Sequence, residues 1–184
     1  SYDSAVGIEV DSDNFASAYN YGDITVLAYG PGADAVGIDA LSYGSAYVYN
    51  NGNITVTFDV NDAATTQIYA EGASAIGINA VSDVYHDQYP DVANTLLYGP
   101  NDVNVVNGPL GAVTVLANGT AIGINANALA DGGVYVYNAG SVSATSVYGD
   151  AWGVVGITNG LGNVDIYNSG SVTSVAYDRA DGID

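Results

Sequence analysis

Short runs of alternating apolar and polar residues recur along the chain and are separated by glycine-containing bends. The clearest run lies at 46–56, where Ala-Tyr-Val-Tyr and Ile-Thr-Val flank the bend Asn50-Asn51-Gly52. A period of two with many β-branched residues indicates half-buried β-strands. The bend returns with glycines at 22, 52, 108, 140 and 170, spaced by 30 to 32 residues except for one longer gap. Self-similarity at this period predicts a solenoid.

A second phrase, Ala-x-Gly-Ile, lies between the bends. It starts at Ala5, Ala35, Ala75, Ala121 and Ala180, with a looser version at 151–157. Each unit therefore contains three predicted strands: Ala-x-Gly-Ile, x-Val-Tyr-Asn and, after the bend, Ile-Thr-Val. No segment keeps a helical period over several turns. Three strands per unit without a crossover helix predict an all-β parallel β-helix, a single domain over 1–184 with five coils of about 30 residues.

Stacked coils would align equivalent residues in columns about 4.8 Å apart. Within the first strand of each unit, strict alternation would put Val36, Ile38 and Ala40 on one face, together with their equivalents in the other coils. Three inward apolar columns follow. They contain Ile8, Ile38, Ile78, Ile124 and either Val154 or Ile157; Ile24, Ile54, Val113, Val142 and Val172; and Ala18, Val48, Val136 and Ile166.

Polar and aromatic columns are predicted beside the apolar ones. Asparagines before the bends would form an inward ladder of side-chain amides that hydrogen-bond from coil to coil. They are Asn20, Asn50, Asn107, Asn138 and Asn168. Tyr19, Tyr49, Tyr137 and Tyr167 would form an outward stripe, and Thr25, Thr55, Thr114, Ser143 and Thr173 a hydroxyl stripe. Aromatic side chains suit stacking between coils and binding to a sugar face alike, so both roles stay open.

Two longer stretches interrupt the repeat, at about 59–70 and 82–105. Excursions of this kind usually leave one face of a solenoid, where recognition can reside. The second contains His86, the only histidine of the chain. As the only candidate base of this kind, it lies in a proline-flanked excursion, so we expect no nucleophilic triad and a surface position for His86.

The chain carries a formal net charge of −19, with no lysine and with Arg179 as its only arginine. Such an acidic protein repels nucleic-acid phosphates and anionic lipid headgroups, so neither is an expected partner. No apolar run approaches the roughly 18 residues of a membrane helix, so no membrane insertion is expected. Lysine commonly blocks exposed strand edges from pairing with other chains, and that block is missing here.

Acidic pairs are the main candidates for chemistry. They are Asp11 with Asp13, Asp59 with Asp62, and Asp83 with Asp87. Glycoside cleavage needs two carboxyl groups about 5–10 Å apart across the substrate, but these pairs lie in polar turns with few residues to orient an acid. We therefore expect a protein that is not an enzyme and requires no cofactor. Clustered oxygens at Asp11, Asp13, Asp59 and Asp62 make Ca²⁺ a candidate ligand.

The two ends of the chain resemble each other. Residues 1–9 and 176–184 share Tyr, Asp, Ala, Gly and Ile at an offset of 175 residues. The end coils would be in phase, and neither has a polar capping segment. We expect a head-to-tail homopolymer, because a contact between unlike ends builds open filaments. The predicted interface consists of Tyr2, Ala5, Ile8, Tyr177, Ala180 and Ile183, and Asp181 counts against a wholly apolar joint.

The alternation of Asn-x-Gly-x-Ile-Thr, as at 50–55, with Ala-x-Gly-Ile, as at 35–38, resembles the passenger regions of bacterial autotransporter and haemagglutinin-type exoproteins. The resemblance covers essentially the whole chain. It implies a right-handed parallel β-helix that is secreted and displayed on a bacterial cell surface. Three hypotheses follow: a non-catalytic structural unit that stacks into a surface fibre, a segment of a longer adhesin that binds carbohydrate or a host surface, and a polysaccharide lyase or hydrolase.

Overall fold

The computed structural model describes residues 4–29, 33–59, 74–82, 102–129 and 132–184. Within these ranges the chain forms 16 β-strands and no helix. The strands are β1 (Ala5–Ser12), β2 (Phe15–Asn20), β3 (Ile24–Tyr29), β4 (Ala35–Ser42), β5 (Ser45–Asn50), β6 (Asn53–Asp59), β7 (Ala75–Ser82), β8 (Val103–Asn107), β9 (Ala112–Ala117), β10 (Ala121–Ala128), β11 (Val134–Asn138), β12 (Ser141–Ser146), β13 (Ala151–Thr158), β14 (Val164–Asn168), β15 (Ser171–Val175) and β16 (Ala180–Ile183).

The strands stack in three parallel sheets. The first has the order β1-β4-β7-β10-β13-β16, the second β2-β5-β8-β11-β14, and the third β3-β6-β9-β12-β15. Each coil thus gives one strand to each sheet. The fold is a right-handed parallel β-helix with five three-stranded coils, and β16 begins a sixth. The fold class predicted from the repeat is confirmed.

The hydrophobic core fills the inside of the coils. The predicted isoleucine column is confirmed, and its members in β4, β7 and β10 are fully buried. Val154 continues this column, whereas Ile157 aligns with Asn127 on the outer face. The other two columns are also confirmed, and Val105 joins the third. Each fully buried Val or Ile contributes roughly 1.5–3 kcal/mol, so these columns are a main source of stability.

The first strand of each coil departs from strict alternation at its glycine. In β4, Gly37 and Ile38 both face the interior, while Val36 lies half-buried on the outer face. The prediction that Val36, Ile38 and Ala40 share a face is therefore wrong, as it is for the equivalent residues of β1 and β10. The cause is close packing, because a Cβ on Gly37 would collide with Ile54 and with the carbonyl oxygen of the next coil's glycine. Only glycine fits such a close approach.

Strands reach into both stretches that were predicted to interrupt the repeat. Asp59 ends β6, Ser82 ends β7, and 103–105 lie in β8. These last three residues therefore do not belong to the excursion predicted for 82–105. Asp102, which directly precedes β8, is described as well, whereas 60–70 and 83–101, including His86, lie outside the described residues.

Candidate functional site

The bend asparagines form one continuous ladder through the inside of the coils. Each side-chain amide donates from Nδ2 to the Oδ1 of the next asparagine towards the C-terminus. The distances are 2.8 Å for Asn20–Asn50 and Asn50–Asn107, and 2.7 Å for Asn107–Asn138 and Asn138–Asn168. The three middle members are fully buried. The predicted ladder is confirmed.

Backbone groups at the bends fix the direction of this ladder. The Nδ2 of Asn20 donates to the Gly22 carbonyl oxygen at 2.9 Å, and the Gly22 N–H donates to the Asn20 Oδ1 at 3.2 Å. Asn50 makes the same two bonds with Gly52. Since a carbonyl oxygen only accepts, turning an amide round would break these bonds. The ladder therefore leaves acceptor capacity on Oδ1 of Asn20 and donor capacity on Nδ2 of Asn168.

A second ladder, which sequence reasoning missed, runs along the outer face of the first sheet. The Nδ2 of Asn125 donates to the Oδ1 of Asn79 at 2.8 Å, and the Nδ2 of Asn79 donates to the Oδ1 of Asp39 at 2.9 Å. Glu9 aligns with Asp39 in the neighbouring coil. All four residues follow the isoleucine of Ala-x-Gly-Ile, and this recurrence of acceptor side chains is the signal that could reveal the ladder.

Asp39 is the pH-sensitive member of this outer ladder. Burial raises the pKa of its carboxyl above the ordinary value of 3.8, the hydrogen bond from Asn79 opposes the rise in part, and the charges of Glu9 and Asp11 add to it. The folded chain therefore holds the Asp39 proton more tightly than the unfolded chain does. The contribution of this group to stability falls as the pH rises from 3.8 through the folded-state pKa, and it stays lower at neutral pH.

Replacing Asp39 with asparagine should stabilise the protein at neutral pH. The amide oxygen can still accept the bond from Asn79, and the cost of burying a charge beside Glu9 disappears. We expect the free energy of unfolding to rise by roughly 0.5 kcal/mol at pH 7, after allowance for solvent screening at a half-buried site. The gain should shrink as the pH falls towards about 4.

Urea unfolding at both pH values measures this effect. Asp178→Asn is the control, because it makes the same change in charge at an exposed position. It should change the free energy of unfolding by clearly less than Asp39→Asn does, because an exposed carboxylate keeps its contacts with water in the folded chain. An Asp39→Asn variant that is less stable than the parent at pH 7 would contradict the effect assigned to burial.

Outward tyrosines cluster in the first two coils. Ring centroids lie 5.5 Å apart for Tyr19 and Tyr47, 6.4 Å for Tyr19 and Tyr49, and 5.5 Å for Tyr21 and Tyr49. Tyr19 and Tyr21 remain 57% and 70% exposed. The predicted stripe is interrupted at the third coil, where Val106 takes the tyrosine position. Beyond this point, the exposed residues Tyr137 and Tyr167 align with each other.

The hydroxyl stripe follows the predicted register along the third sheet. Its members are Thr25, Thr55, Thr114, Ser143 and Thr173. The first three line a shallow groove of about 280 Å³ with Asp23 and Asn53, and the Nδ2 of Asn53 donates to Asp23 at 2.8 Å. The outer face of this sheet thus has an open, polar groove and, further along the strands, the exposed Leu27 and Leu116.

Asp11 and Asp13 lie together at a corner of the first coil. They line a shallow depression of about 460 Å³ with Ser12, Asn14 and Tyr43. The Ser12 hydroxyl oxygen accepts bonds from the backbone N–H groups of the second and third residues after it, both at 3.3 Å, so turn formation accounts for this polar sequence. Among the described residues no group of three or more His, Cys, Asp or Glu side chains could hold a metal ion. Outside them lie Asp62, Asp83, Asp87 and the side chain of Asp59, so calcium binding stays a prediction.

Within the described residues, the three sheets are bounded by β1, β2 and β3 at one end of the coil stack and by β14, β15 and β16 at the other. The side bounded by β14, β15 and β16 also exposes inward-facing apolar side chains, with Ile183 47% and Val164 38% exposed. A sheet edge offers backbone donors and acceptors to a further strand, so both ends are candidate interaction surfaces.

The predicted end-to-end residues that the structure describes lie at these two ends. Ala5 and Ile8 are half-buried in β1, Ala180 and Ile183 are exposed in β16, Tyr177 is exposed before β16, and Tyr2 lies outside the described residues. Asp181 aligns with Trp152 on the outer face, and its Oδ2 lies 2.5 Å from the Nε of Arg179. Asp181 therefore lies outside the inward apolar columns and does not interrupt them.

Comparison of the chain with protein-family models, with curated proteins and with solved structures found no match. The resemblance to autotransporter and haemagglutinin-type passenger regions therefore stays a hypothesis drawn from the repeats. In the part of the chain that the structure describes, no helix has the length and apolar character needed to cross a membrane.

Proposed function

We propose that this chain is a non-catalytic structural unit that stacks end to end with further copies of itself into a filament on the outside of a bacterial cell. The observation that carries the proposal is the direction of the inner asparagine ladder. It leaves donor capacity at Asn168 and acceptor capacity at Asn20, so the last coil of one copy complements the first coil of the next. A contact between unlike ends builds an open filament.

The edge strands support the same arrangement. In a stack, β2 and β3 of one copy would continue the second and third sheets beyond β14 and β15 of another, in the register that the existing coils use. A full coil edge forms about a dozen backbone hydrogen bonds, each contributing about 0.5–1.5 kcal/mol net. Pairing of like ends would bring two ladder donors or two ladder acceptors together, which favours head-to-tail stacking.

The location outside the cell rests on the resemblance of the repeats to secreted passenger regions. The absence of cysteine fits such a setting.

The net charge of −19 opposes the association of copies. Copies repel each other over a Debye length of about 8 Å at physiological salt and about 3 Å at 1 M salt. Stacking is therefore best measured at both ionic strengths.

A segment of a longer adhesin that binds carbohydrate is the second candidate. The observation that favours it is the tyrosine cluster of the first two coils, whose exposed rings suit the face of a sugar. Ring contacts between coils account for the same cluster without a ligand. A polysaccharide lyase or hydrolase would need an acid pair on two sides of a substrate, and Asp11 and Asp13 share one corner turn instead.

Replacing Asn168 with aspartate should weaken stacking and leave the coils intact. Aspartate keeps the oxygen that accepts the Asn138 bond at 2.7 Å, but it has no donor to offer to Asn20 of the next copy. We expect the critical concentration for assembly to rise by about tenfold. Sedimentation and negative-stain electron microscopy of the purified chain, with its intact mass determined alongside, measure the effect.

Asn104→Asp is the control, because it makes the same substitution on the outer face of the third coil, away from both proposed joints. It should assemble like the parent. Filaments with an axial repeat near five coils, roughly 24 Å, would support the proposal. A parent chain that stays monomeric at both ionic strengths would overturn it, and sugar binding by the tyrosine cluster would then be tested. If Asn168→Asp and the parent assembled at the same critical concentration, the asparagine ladder would not be the basis of stacking.

A further inference from the structure

The first sheet has one strand more than the other two. Its six strands end with β16, which pairs with β13, whereas the five-stranded second and third sheets end with β14 and β15. Thus β16 fills the first position of a sixth coil. The other two positions of that coil hold no strand among the described residues.

This extra strand conflicts with simple stacking of whole copies. When β2 and β3 of a second copy pair with β14 and β15, the β1 of that copy arrives at the edge of β13, because β1, β2 and β3 belong to one coil. That edge is already covered by β16. If β1 were stacked on β16 instead, one strand position would stay empty in each of the other sheets.

The sequence of β1 fits the position that β16 fills. Ala5 and Ala180 belong to the same column of the first sheet, as do Ile8 and Ile183. Both strands also carry the glycine of Ala-x-Gly-Ile. A Cβ on Gly153 would collide with the carbonyl oxygen of the β16 glycine, and β1 has a glycine at the equivalent position. Either strand therefore preserves the packing on β13.

The two strands differ in how much of β13 they can cover. β16 has 4 residues and pairs with β13 at three positions, and the next residue, Asp184, extends the backbone hydrogen bonds to Gly156. β1 has 8 residues and pairs with β4 at seven positions. On β13, Val10 of β1 would extend the inward face beside Gly156, and Asp11 and Ser12 would lie beside Ile157 and Thr158. A stacking β1 thus offers more hydrogen bonds than the strand already in place, and Val10 adds an apolar side chain to the interior.

With residues 1–184 as the unit that stacks, as in the proposed function, we propose that β16 is exchangeable and that the β1 of a second copy displaces it from β13 when two copies stack. The partner is a second copy of this chain, so this inference rests on the proposed function. In the single chain, β16 covers the β13 edge and so limits pairing with other strands. Because only copies with an open β13 edge can receive β1, the strength with which β16 is held sets the concentration needed for stacking.

A disulfide that fixes β16 to β13 tests this exchange in the full chain. Ala151 and Ala180 are register partners in adjacent strands, at a spacing that suits a disulfide, and the chain has no cysteine of its own. In the double variant Ala151→Cys/Ala180→Cys, we expect the oxidised protein to need an about tenfold higher concentration for stacking than the same protein after reduction. Intact mass and non-reducing electrophoresis confirm that the bond lies within one chain.

The matched control is Ala35→Cys/Ala75→Cys, which fixes β4 to β7. Both strands lie inside the first sheet and neither meets a second copy, so oxidation of this control should leave stacking unchanged. If oxidation weakened stacking equally in both double variants, cross-linking of the first sheet and not the fixing of β16 would be the cause. That result would overturn the proposed exchange.

A chain without residues 179–184 gives a second readout. With the β13 edge open, its critical concentration should fall by about tenfold, provided that circular dichroism shows an intact fold. Equal stacking of the oxidised and reduced Ala151→Cys/Ala180→Cys protein would overturn the exchange and leave the proposed function standing. If the parent, the reduced variant and the shortened chain all stay monomeric, both proposals are wrong.

Discussion

Replacing Ile54 with aspartate should abolish the folded solenoid. Ile54 is 1% exposed and lies between Ile24 and Val113 in an inward column. Aspartate there would place an unpaired polar group in an apolar interior, at a cost of several kcal/mol even after it takes up a proton. Folded domains are stable by only about 5–15 kcal/mol in total. We therefore expect the far-UV circular dichroism signal of the strands to be lost at room temperature.

Thr55 provides the matched control, because it is the next residue of the same strand and faces outwards. Thr55→Asp adds the same charge to the same coil and should change the free energy of unfolding by less than about 1 kcal/mol. A parent-like strand signal and Tm for Ile54→Asp would show that Ile54 does not face the core. If Ile54→Asp and Thr55→Asp lost the same amount of structure, the added charge and not the burial of the side chain would be the cause of unfolding.

Much of the fold follows from a period that the sequence displays openly. Asn20, Asn50 and Asn168 recur at one place relative to the bend glycine, and equal places in a stack of coils are neighbours about 4.8 Å apart. The inner ladder is therefore predictable in full, including Asn107 beside a degraded bend. The choice between Val154 and Ile157 is harder, because the looser phrase at 151–157 fits the Gly-Ile pattern in two registers.

The repeat pattern does not predict other features of the structure. Strict alternation assumes that every residue has a side chain to place, and Gly37 has none, so β4 can turn two consecutive residues inwards. The outer ladder at Asp39 looks like ordinary solvated surface in sequence, because outward polar residues need no partner. The competition that we propose between β16 and a stacking β1 was inferred from the number of strands in each sheet, which only the strand pairing reveals.

Replacing Asn107 with leucine should cost more stability than any change on the outer faces. Asn107 is 0% exposed, accepts a bond from Asn50 and donates one to Asn138. Leucine has a similar size but can do neither, so a donor of Asn50 and an acceptor of Asn138 would stay buried without partners. Each such group costs about 1–3 kcal/mol. We expect the free energy of unfolding, measured in urea, to fall by roughly 2–6 kcal/mol.

Asn125→Leu is the matched control, since it makes the same substitution in the outer ladder, where the half-buried Asn125 donates to Asn79. Water can replace that bond, so the loss should stay below about 1 kcal/mol. Equal losses at Asn107 and Asn125 would contradict the importance given to burial. A parent-like stability of Asn107→Leu would mean that the inner ladder specifies register without adding stability, as some buried polar groups do. In that case the free donor of Asn168 would direct a second copy into register but add little to the strength of the joint.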